Sequence, residues 1–266
     1  MTSTELGVAG PPAWPGCALG AWAASWRAGR SAPDDVTDTL AEFATRHEIV
    51  DPAALLDDVT TRGAHLDLLA LLRRTACLEV RLPTAGDPQG LPPDPATAAA
   101  LIAGEILLLH EPTGTHTLGL VPALDDDVCR WTVHRYDRAV TQLQPEPLGQ
   151  VEYNLREAIR ETADIIGRLG SSGMRVSPGQ LRATLGALTT RHQVILPPHD
   201  TQRATRVIDS AAQVEAIVTI AGAQAPTYGV TAGHSDAGDT NLRRLAALAR
   251  GARAAAVNTV IGEFQR

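Results

Sequence analysis

Three histidines and one glutamate near the middle of the chain are the residues whose types and spacing could support chemistry. His110, Glu111 and His116 lie on either side of a predicted turn, and His134 lies on a neighbouring predicted strand. Imidazole nitrogens and a carboxylate are ligands of divalent transition metals. The cluster therefore predicts a metal site, although its spacing matches no recognised metal motif. The alternative is that these are polar residues at strand ends near solvent, without the supporting hydrogen bonds that metal ligands require.

A second candidate lies where a long C-terminal helix is predicted to begin. His199, Asp200, Arg203 and Arg206 surround this start, and the N-terminus of a helix attracts anions through its free N–H groups and its dipole. Arg203 could add a bidentate contact to a phosphate or carboxylate. The alternative is ordinary capping of the helix by Asp200, with the arginines on its outer face.

A long irregular loop, rich in glycine and proline, is predicted at 83–95. Long ordered loops often carry binding function. Asp87 and Asp94 are the side chains of this loop that could take part in chemistry. The loop is therefore predicted as a recognition surface rather than as an active site.

The chain contains no lysine, since all 23 of its lysine-plus-arginine cations are arginine. Catalysis through a lysine Schiff base is therefore excluded, as are the lysines of Walker-type phosphate loops and of protein kinases. The sequence also lacks G-x-S-x-G and G-x-G-x-x-G, the fingerprints of the α/β-hydrolase elbow and of the Rossmann cofactor site. Apart from a divalent metal at the histidines, no cofactor is predicted, and no catalytic residue is identified.

Charge and composition argue against nucleic acid and membranes as partners. The net charge is −7 and only 3% of the residues are aromatic, whereas nucleic-acid sites need basic surfaces or exposed aromatic side chains. No apolar run reaches the ~20 residues that span a bilayer. Cys17, Cys77 and Cys129 are far apart and odd in number, which fits neither a disulfide framework nor a zinc module and predicts cytoplasmic residence.

The elements that must position these residues follow from hydrophobic periodicity. In the second predicted helix, Val36, Leu40, Phe43 and His47 form one stripe, and Asp51 followed by proline is a typical start for the third helix. The predicted helices of the N-terminal half cover 17–29, 33–47, 52–59, 65–76 and 95–103, and the predicted strands cover 77–82, 105–110, 116–121 and 128–136.

The C-terminal half is predicted to be entirely helical, with four amphipathic segments that would pack as a bundle. These segments cover about 151–169, a stretch from 178 that ends before Pro197, 200–221, and a stretch from Asp236 or Asp239 to about 264. The predicted fold is α+β: an N-terminal unit, 1–144, has helices on a small, four-stranded antiparallel sheet, and a C-terminal unit, 145–266, is the helical bundle.

These observations predict a non-catalytic protein that acts through self-association or through a protein partner, using its helical half. The last helix is rich in alanine on a wide face, which favours a homodimer. One alternative is a metal-dependent or small-molecule enzyme with a histidine site on the N-terminal sheet. Another is a regulator that senses an anionic ligand through Arg203 and Arg206.

Overall fold

The computed structural model describes residues 11–56, 64–112, 116–138, 140–144, 146–171, 178–224 and 232–266. Within these residues the chain forms eight helices and five strands, so the predicted α+β class is confirmed. The helices are α1 (Pro15–Arg27), α2 (Pro33–Ala41), α3 (Ala64–Arg73), α4 (Pro95–Ala103), α5 (Leu148–Ser171), α6 (Pro178–His192), α7 (Gln202–Gln224) and α8 (Ala232–Phe264). The strands are β1 (Arg46–Val50), β2 (Cys77–Arg81), β3 (Ile106–His110), β4 (Thr117–Asp125) and β5 (Val128–Tyr136).

The five strands form one mixed sheet in the order β1-β5-β4-β3-β2. The last three strands along the chain make the antiparallel meander that their spacing predicts, and β2 pairs antiparallel with β3. The prediction of four antiparallel strands is incomplete, because β1 pairs parallel with β5 from Arg46 opposite Val128 to Val50 opposite Thr132. A parallel pair needs a crossover connection between its strands, and here the whole chain from α3 to β4 supplies it.

The sheet is covered on both faces, because alternate residues of each strand point to opposite sides. Leu107, Leu120 and Trp131 belong to the larger core, in which strands β2, β3 and β4 pack on α1, and β2 also packs on α8. Leu108 and Tyr136 belong to a smaller core under α4. Full burial of each such apolar side chain contributes ~1.5–3 kcal/mol to the free energy of unfolding.

The second predicted helix is wrong at its C-terminal end, because α2 ends at Ala41 and His47 lies on β1. The buried His47 ring bonds through Nε2 to the Leu40 carbonyl, 2.9 Å away. Its Nδ1 accepts a hydrogen bond from Trp131 Nε1 at 3.0 Å. Both ring nitrogens are therefore used to fix β1 between α2 and β5, a role that helical periodicity does not predict.

The third predicted helix is not found in the part of its range that the structure describes. Residues 51–56 form a turn, in which the Asp51 carboxylate accepts hydrogen bonds from the backbone N–H groups of Leu55 and Leu56. Local capping by an aspartate competes with helix formation, so the same residue can begin a helix or a turn. Val59, on the predicted stripe, lies outside the described residues.

The strand β2 lies at an edge of the sheet, and side-chain amides of α8 pair with its free backbone groups. Asn258 accepts from the Val80 N–H at 2.7 Å and donates to the Val80 carbonyl at 2.8 Å. Gln265 donates to the Leu78 carbonyl at 3.3 Å. An unpaired edge invites association with other chains, so α8 covers this edge and ties the C-terminal half to the sheet.

The alanine-rich face of α8 is buried inside the chain rather than left for a partner. Ala249, Ala252, Ala254 and Ala256 are buried, and α8 packs on α7, α5, α1 and β2. The large core therefore includes residues from both predicted units, and the division at residue 144 stays a prediction. Among the described helices, none has both the length and the apolar character that crossing a membrane would require.

Candidate functional site

A buried carboxylate–arginine pair occupies the face of β2 that points away from the large core. Arg81 is fully buried, and its Nε donates to Glu79 Oε1 at 2.9 Å. The other two guanidinium nitrogens donate to the Gln89 carbonyl and, at 2.9 Å, to the Thr141 carbonyl. Arg81 therefore ties two loops to the edge of the sheet with all of its nitrogens bonded, as a buried charge requires.

His110, from the predicted histidine cluster, belongs to this same network. Its Nε2 lies 3.3 Å from Glu79 Oε2, and its Nδ1 lies 3.4 Å from Thr117 Oγ1. The Val140 N–H donates to Thr117 Oγ1 at 3.2 Å, which leaves the threonine hydroxyl proton free to bond His110 Nδ1. This assignment places the ring proton on Nε2, where it donates to Glu79.

Glu79 is an ionised group at neutral pH despite its burial. Burial by itself would raise the pKa of Glu79, but hydrogen bonds from His110 and Arg81 and the charge of Arg81 outweigh burial, so the pKa is lowered. The Leu143 N–H also donates to Glu79 Oε1 at 3.2 Å. The site therefore holds a fixed negative charge with a balancing guanidinium on one side.

A groove between β2 and α8, called the β2–α8 groove, lies beside this network and has a volume of about 540 Å³. This volume falls within the range of pockets that hold small molecules. The residues that line the groove are Cys77, Leu78, Glu79, Asp87, Gln89, Gly90, Gln142, Leu143, Gln144, Glu146, Gly251, Ala254, Ala255, Asn258, Ile261, Gly262 and Gln265. A smaller depression of about 310 Å³ adjoins it and shares Asp87, Glu146 and Gly251.

The lining of the groove is acidic and rich in amides. Glu79, Asp87 and Glu146 are its carboxylates, and among the described residues that line it there is no arginine and no histidine. Four glutamines and one asparagine add donors and acceptors. A cation or a ligand with several hydrogen-bonding groups is the chemistry that such a surface complements.

The predicted loop 83–95 supplies one wall of the groove through Asp87, Gln89 and Gly90. Gln89 has a positive φ of 51°, a conformation that is uncommon for a residue with a side chain. Its Oε1 accepts from the Leu82 N–H at 2.8 Å, and its own N–H donates to Asp87 Oδ1 at 3.0 Å. Its buried Nε2 has no hydrogen-bond partner among the described residues. Asp94, by contrast, caps α4 by accepting from the Ala96 N–H.

The four residues of the predicted metal cluster lie in different surroundings. His110 is buried in the Glu79 network, whereas His116 is exposed and Glu111 is partly exposed. His134 shares the face of His110 but lies two strands away, because His110 is opposite Thr117 and His134 is opposite Gly119. With strands ~4.8 Å apart, their backbones are on the order of 10 Å apart.

The surroundings of His134 are those of a partly buried, uncharged ring. Burial lowers the pKa of His134, and the nearby charge of Asp94 offsets this only in part. Among the described residues, no group of three or more histidine, cysteine, aspartate or glutamate side chains is arranged to hold a metal ion. The metal site at His110, Glu111, His116 and His134 stays a prediction.

The predicted anion site at the start of α7 is filled by side chains of the chain itself. Glu263 accepts hydrogen bonds from the Asp200 N–H at 3.0 Å and from the Thr201 hydroxyl at 2.7 Å. The hydrogen bond from the Asp200 backbone is the main reason why the pKa of Glu263 is lowered. His199 bonds to the Pro197 carbonyl and to the Thr205 hydroxyl at 2.9 and 3.2 Å.

The two arginines of that prediction also have an internal partner. Arg203 and Arg206 lie 3.3 and 3.8 Å from the carboxylate oxygens of Glu152 on α5. Glu152 additionally bonds Arg156 at 2.8 Å. An incoming anion would have to compete with Glu152 for these guanidinium groups. Sensing of an anion by His199, Asp200, Arg203 and Arg206 stays a prediction.

Sequence reasoning missed a second buried charge centre, in which helices α6, α7 and α8 meet. Glu215 of α7 pairs with the fully buried Arg253 and, at 3.2 Å, with Arg250. His192 Nδ1 lies 3.5 Å from the same carboxylate. Burial lowers the pKa of His192 to about 4, although the charge of Glu215 opposes this shift. The histidine is therefore neutral at pH 7.

Trp14 and Glu105 join this centre to the N-terminal half. Arg253 and Arg250 lie over the Trp14 ring, with their guanidinium carbons 4.5 and 5.2 Å from the ring centre, as in cation–π contacts. Glu105 accepts the Cys17 N–H at the start of α1 at 3.2 Å. Burial raises the pKa of Glu105 to about 8, against the opposing backbone hydrogen bonds and arginine charges.

A signal for this centre exists in the sequence, although it is weak. Glu215 interrupts the apolar run of α7, and Arg253 lies between alanines on the apolar side of α8. When a charged residue occupies a position that the helical period assigns to the core, it indicates a buried ion pair. Periodicity alone does not show which charges meet, because the partners come from different helices.

Comparison with known proteins shows two matches to family models. The N-terminal domain of Rv1486c-like proteins matches residues 16–146, and the C-terminal domain matches residues 149–254. Uncharacterized protein Rv1486c of Mycobacterium tuberculosis is 30% identical over 283 residues, which cover 93% of this chain and 97% of that protein. Uncharacterized protein ML1804 of Mycobacterium leprae is 28% identical, with the same two coverages.

No solved structure matches the chain. The names of these relatives assign no activity, ligand or partner. Because the similarity to Rv1486c extends over nearly the full length of both proteins, the chain belongs to the family of Rv1486c-like proteins.

Proposed function

We propose that the protein binds a small molecule carrying an amino group in the β2–α8 groove, with Glu79 as the carboxylate that recognises the amine. The observation that carries the proposal is the lining: Glu79, Asp87 and Glu146 are acidic, and no described lining residue is basic. Glu79 is held in place and ionised by Arg81 and His110. A preorganised carboxylate loses little conformational freedom when it binds a ligand.

The floor of the groove supports the proposal, because α8 presents small residues there. A Cβ added at Gly251 or Gly262 would meet no atom within 4 Å. Glycine inside a helix lowers the stability of the helix by about 1 kcal/mol relative to alanine. At these two positions no close neighbour requires a glycine. The space beside these two positions is therefore open to a ligand, and a methyl group can be introduced there without a clash.

The test is isothermal titration calorimetry of the full-length protein with putrescine, glucosamine and glucose. We expect the two amines to bind and the neutral sugar to bind at least 10-fold more weakly, the effect of one charge-assisted hydrogen bond. The variant Gly251→Leu should fill the groove and weaken amine binding by the same factor or more, while its melting temperature stays equal to or above that of the wild type.

The matched control is Gly186→Leu on α6, where an added Cβ also meets nothing within 4 Å. This variant should bind the amines as the wild type does. The proposal is contradicted if no amine binds or if glucose binds as tightly as glucosamine. It is also contradicted if Gly251→Leu and Gly186→Leu bind the amines with equal affinity.

Self-association or partner binding through the helical half is the second candidate, in the non-catalytic form predicted from the sequence. The observation that favours it is α6, which packs mainly on α7 and keeps Leu181 and Leu185 only partly buried. Analytical ultracentrifugation tests it: a dimer that dissociates when both leucines become glutamine would support it. A monomer for the wild type at 100 μM would exclude self-association.

The histidine-centred enzyme is a further hypothesis about the same region, since His110 contacts Glu79 beside the groove. Native mass spectrometry of protein prepared without chelators tests its metal-dependent form. A metal mass that is lost in a variant with His110 and His116 changed to alanine would support it. We also infer cytoplasmic residence, because Cys17, Cys77 and Cys129 are unpaired, as is usual in a reducing compartment.

A further inference from the structure

A second groove, called the arginine groove, lies between the end of α1 and the end of α3. Its volume is about 730 Å³. Trp26, Arg27 and Pro33 line one side, and Ala70, Arg73 and Arg74 line the other. It shares no lining residue with the β2–α8 groove. Binding of a ligand in the arginine groove is therefore independent of binding in the β2–α8 groove.

The charge of the arginine groove is opposite to that of the whole protein. Among the described residues, three guanidinium groups line it and no carboxylate does, although the chain carries a net charge of −7. Within the described part of the chain, Arg27, Arg73 and Arg74 form no ion pair. Like charges gathered in a concavity repel one another, and an anion would relieve that repulsion.

Arg27 has one donor that nothing in the described residues satisfies. Its Nη2 donates to the Ala76 carbonyl at 3.1 Å. Its Nη1 is buried and has no hydrogen-bond partner within the described part of the chain, and burial lowers the pKa of Arg27. Unsatisfied buried donors are costly. The dipole of a helix favours cations at its C-terminus, which accounts for Arg27 and Arg73 in the last turns of α1 and α3, but not for the unsatisfied nitrogen.

We propose that the arginine groove binds a phosphorylated small molecule that carries a flat ring, such as a nucleoside diphosphate. Arg73 and Arg74, both exposed, and Arg27 contact the phosphates, because planar guanidinium groups match phosphate oxygens in pairs. Trp26 is half-buried beside them and provides an aromatic surface for the ring. The volume suits a ligand of this size.

The test is calorimetric titration of the full-length protein with ADP, pyrophosphate and adenosine at 50 mM salt. We expect ADP to bind most tightly and adenosine most weakly. The double variant Arg73→Gln/Arg74→Gln should weaken the binding of ADP about 30-fold or more, because it removes two charge-assisted contacts. Trp26→Leu should weaken the binding of ADP about 10-fold, the effect of losing one stacked ring. The affinity for pyrophosphate should be unchanged.

The matched control is Arg135→Gln/Arg138→Gln, which removes two exposed arginines outside the groove and changes the net charge equally. It should bind ADP as the wild type does. The proposal is overturned if neither ADP nor pyrophosphate binds, if the two double variants weaken ADP equally, or if Trp26→Leu binds ADP with unchanged affinity. Circular dichroism at 222 nm verifies that each variant remains folded.

Discussion

Glu79 and Glu215 are both buried carboxylates paired with a fully buried arginine, yet their surroundings differ. Glu79 lies on a strand beside a groove, and every nitrogen of its partner Arg81 is hydrogen-bonded. Glu215 lies among three helices and faces two arginines. Arg253 Nε and Trp14 Nε1 in that centre have no partner among the described residues.

The difference shows two uses of the same ion-pair chemistry. A fully bonded pair fixes loops and presents a carboxylate in one orientation, which suits recognition of a ligand. A centre with more cations than fixed anions joins helices, but its stability depends on which neighbouring groups are ionised. The Glu79 network is therefore expected to control binding, and the Glu215 centre is expected to control folding.

The largest effect is expected from Glu215→Gln. The fully buried Arg253 and the partly exposed Arg250 would lose their counter-ion, and breaking a buried ion pair costs ~3–5 kcal/mol in free energy of unfolding. Urea unfolding followed by circular dichroism measures this loss. Glu157→Gln is the control, because its pair with Arg160 on α5 is exposed and should contribute less than ~0.5 kcal/mol. Losses of equal size would show that the Glu215 centre does not stabilise the fold.

The next effect is a fall in stability between pH 6.5 and pH 8. Because the pKa of Glu105 is raised to about 8 in the folded protein, the folded state keeps a proton that the unfolded state releases, so stability is lost as pH rises through this range. The lowered pKa of His192, about 4, affects stability only below about pH 6.5. Between pH 6.5 and pH 8 the free energy of unfolding, measured by thermal unfolding, should fall by a few kcal/mol at most.

Glu105→Gln should remove that pH dependence, because the amide does not ionise but still offers an oxygen to the Cys17 N–H. The melting temperature of the variant should be level from pH 6.5 to pH 8. A parallel decline in both proteins would assign the effect to other groups.

Glu79→Gln is expected to lower the free energy of unfolding by a smaller amount, about 2–3 kcal/mol. The loss is smaller because Arg81 keeps its hydrogen bonds to two backbone carbonyls. The same variant should weaken amine binding in the β2–α8 groove at least 10-fold, since its carboxylate is replaced by a neutral amide. Urea unfolding and calorimetry on one preparation measure both effects. A stability loss as large as that of Glu215→Gln would remove the distinction between the two regions.

The smallest effect is expected from Arg203→Gln/Arg206→Gln. Both side chains are more than half exposed and pair with Glu152, so the free energy of unfolding should change by less than ~1 kcal/mol. Thermal unfolding with and without 10 mM phosphate measures it. If phosphate stabilises the wild type but not the variant, the anion-sensing hypothesis gains support over internal pairing with Glu152.

The periodic parts of the sequence determined the secondary structure and much of the architecture. Alternating residues predicted β2 and β5, the alanine-rich stretch from Pro95 predicted α4, and the apolar stripes predicted α5 to α8. Asp87, Gln89 and Gly90 of the loop 83–95 line the β2–α8 groove, and the role of this loop as a recognition surface stays a prediction.

Only the tertiary structure decided which charged side chains meet. The strand β1 was missed because His47 continues a helical stripe in sequence, whereas its ring bonds to Leu40 on α2 and to Trp131 on the distant strand β5. Glu79 pairs with Arg81 on its own strand, but its other partner, His110, comes from β3. The partners of Glu215 likewise come from another element of the fold. Periodicity depends on local backbone geometry, which the sequence determines, but ion pairs and grooves depend on how elements pack, which one chain read alone does not specify.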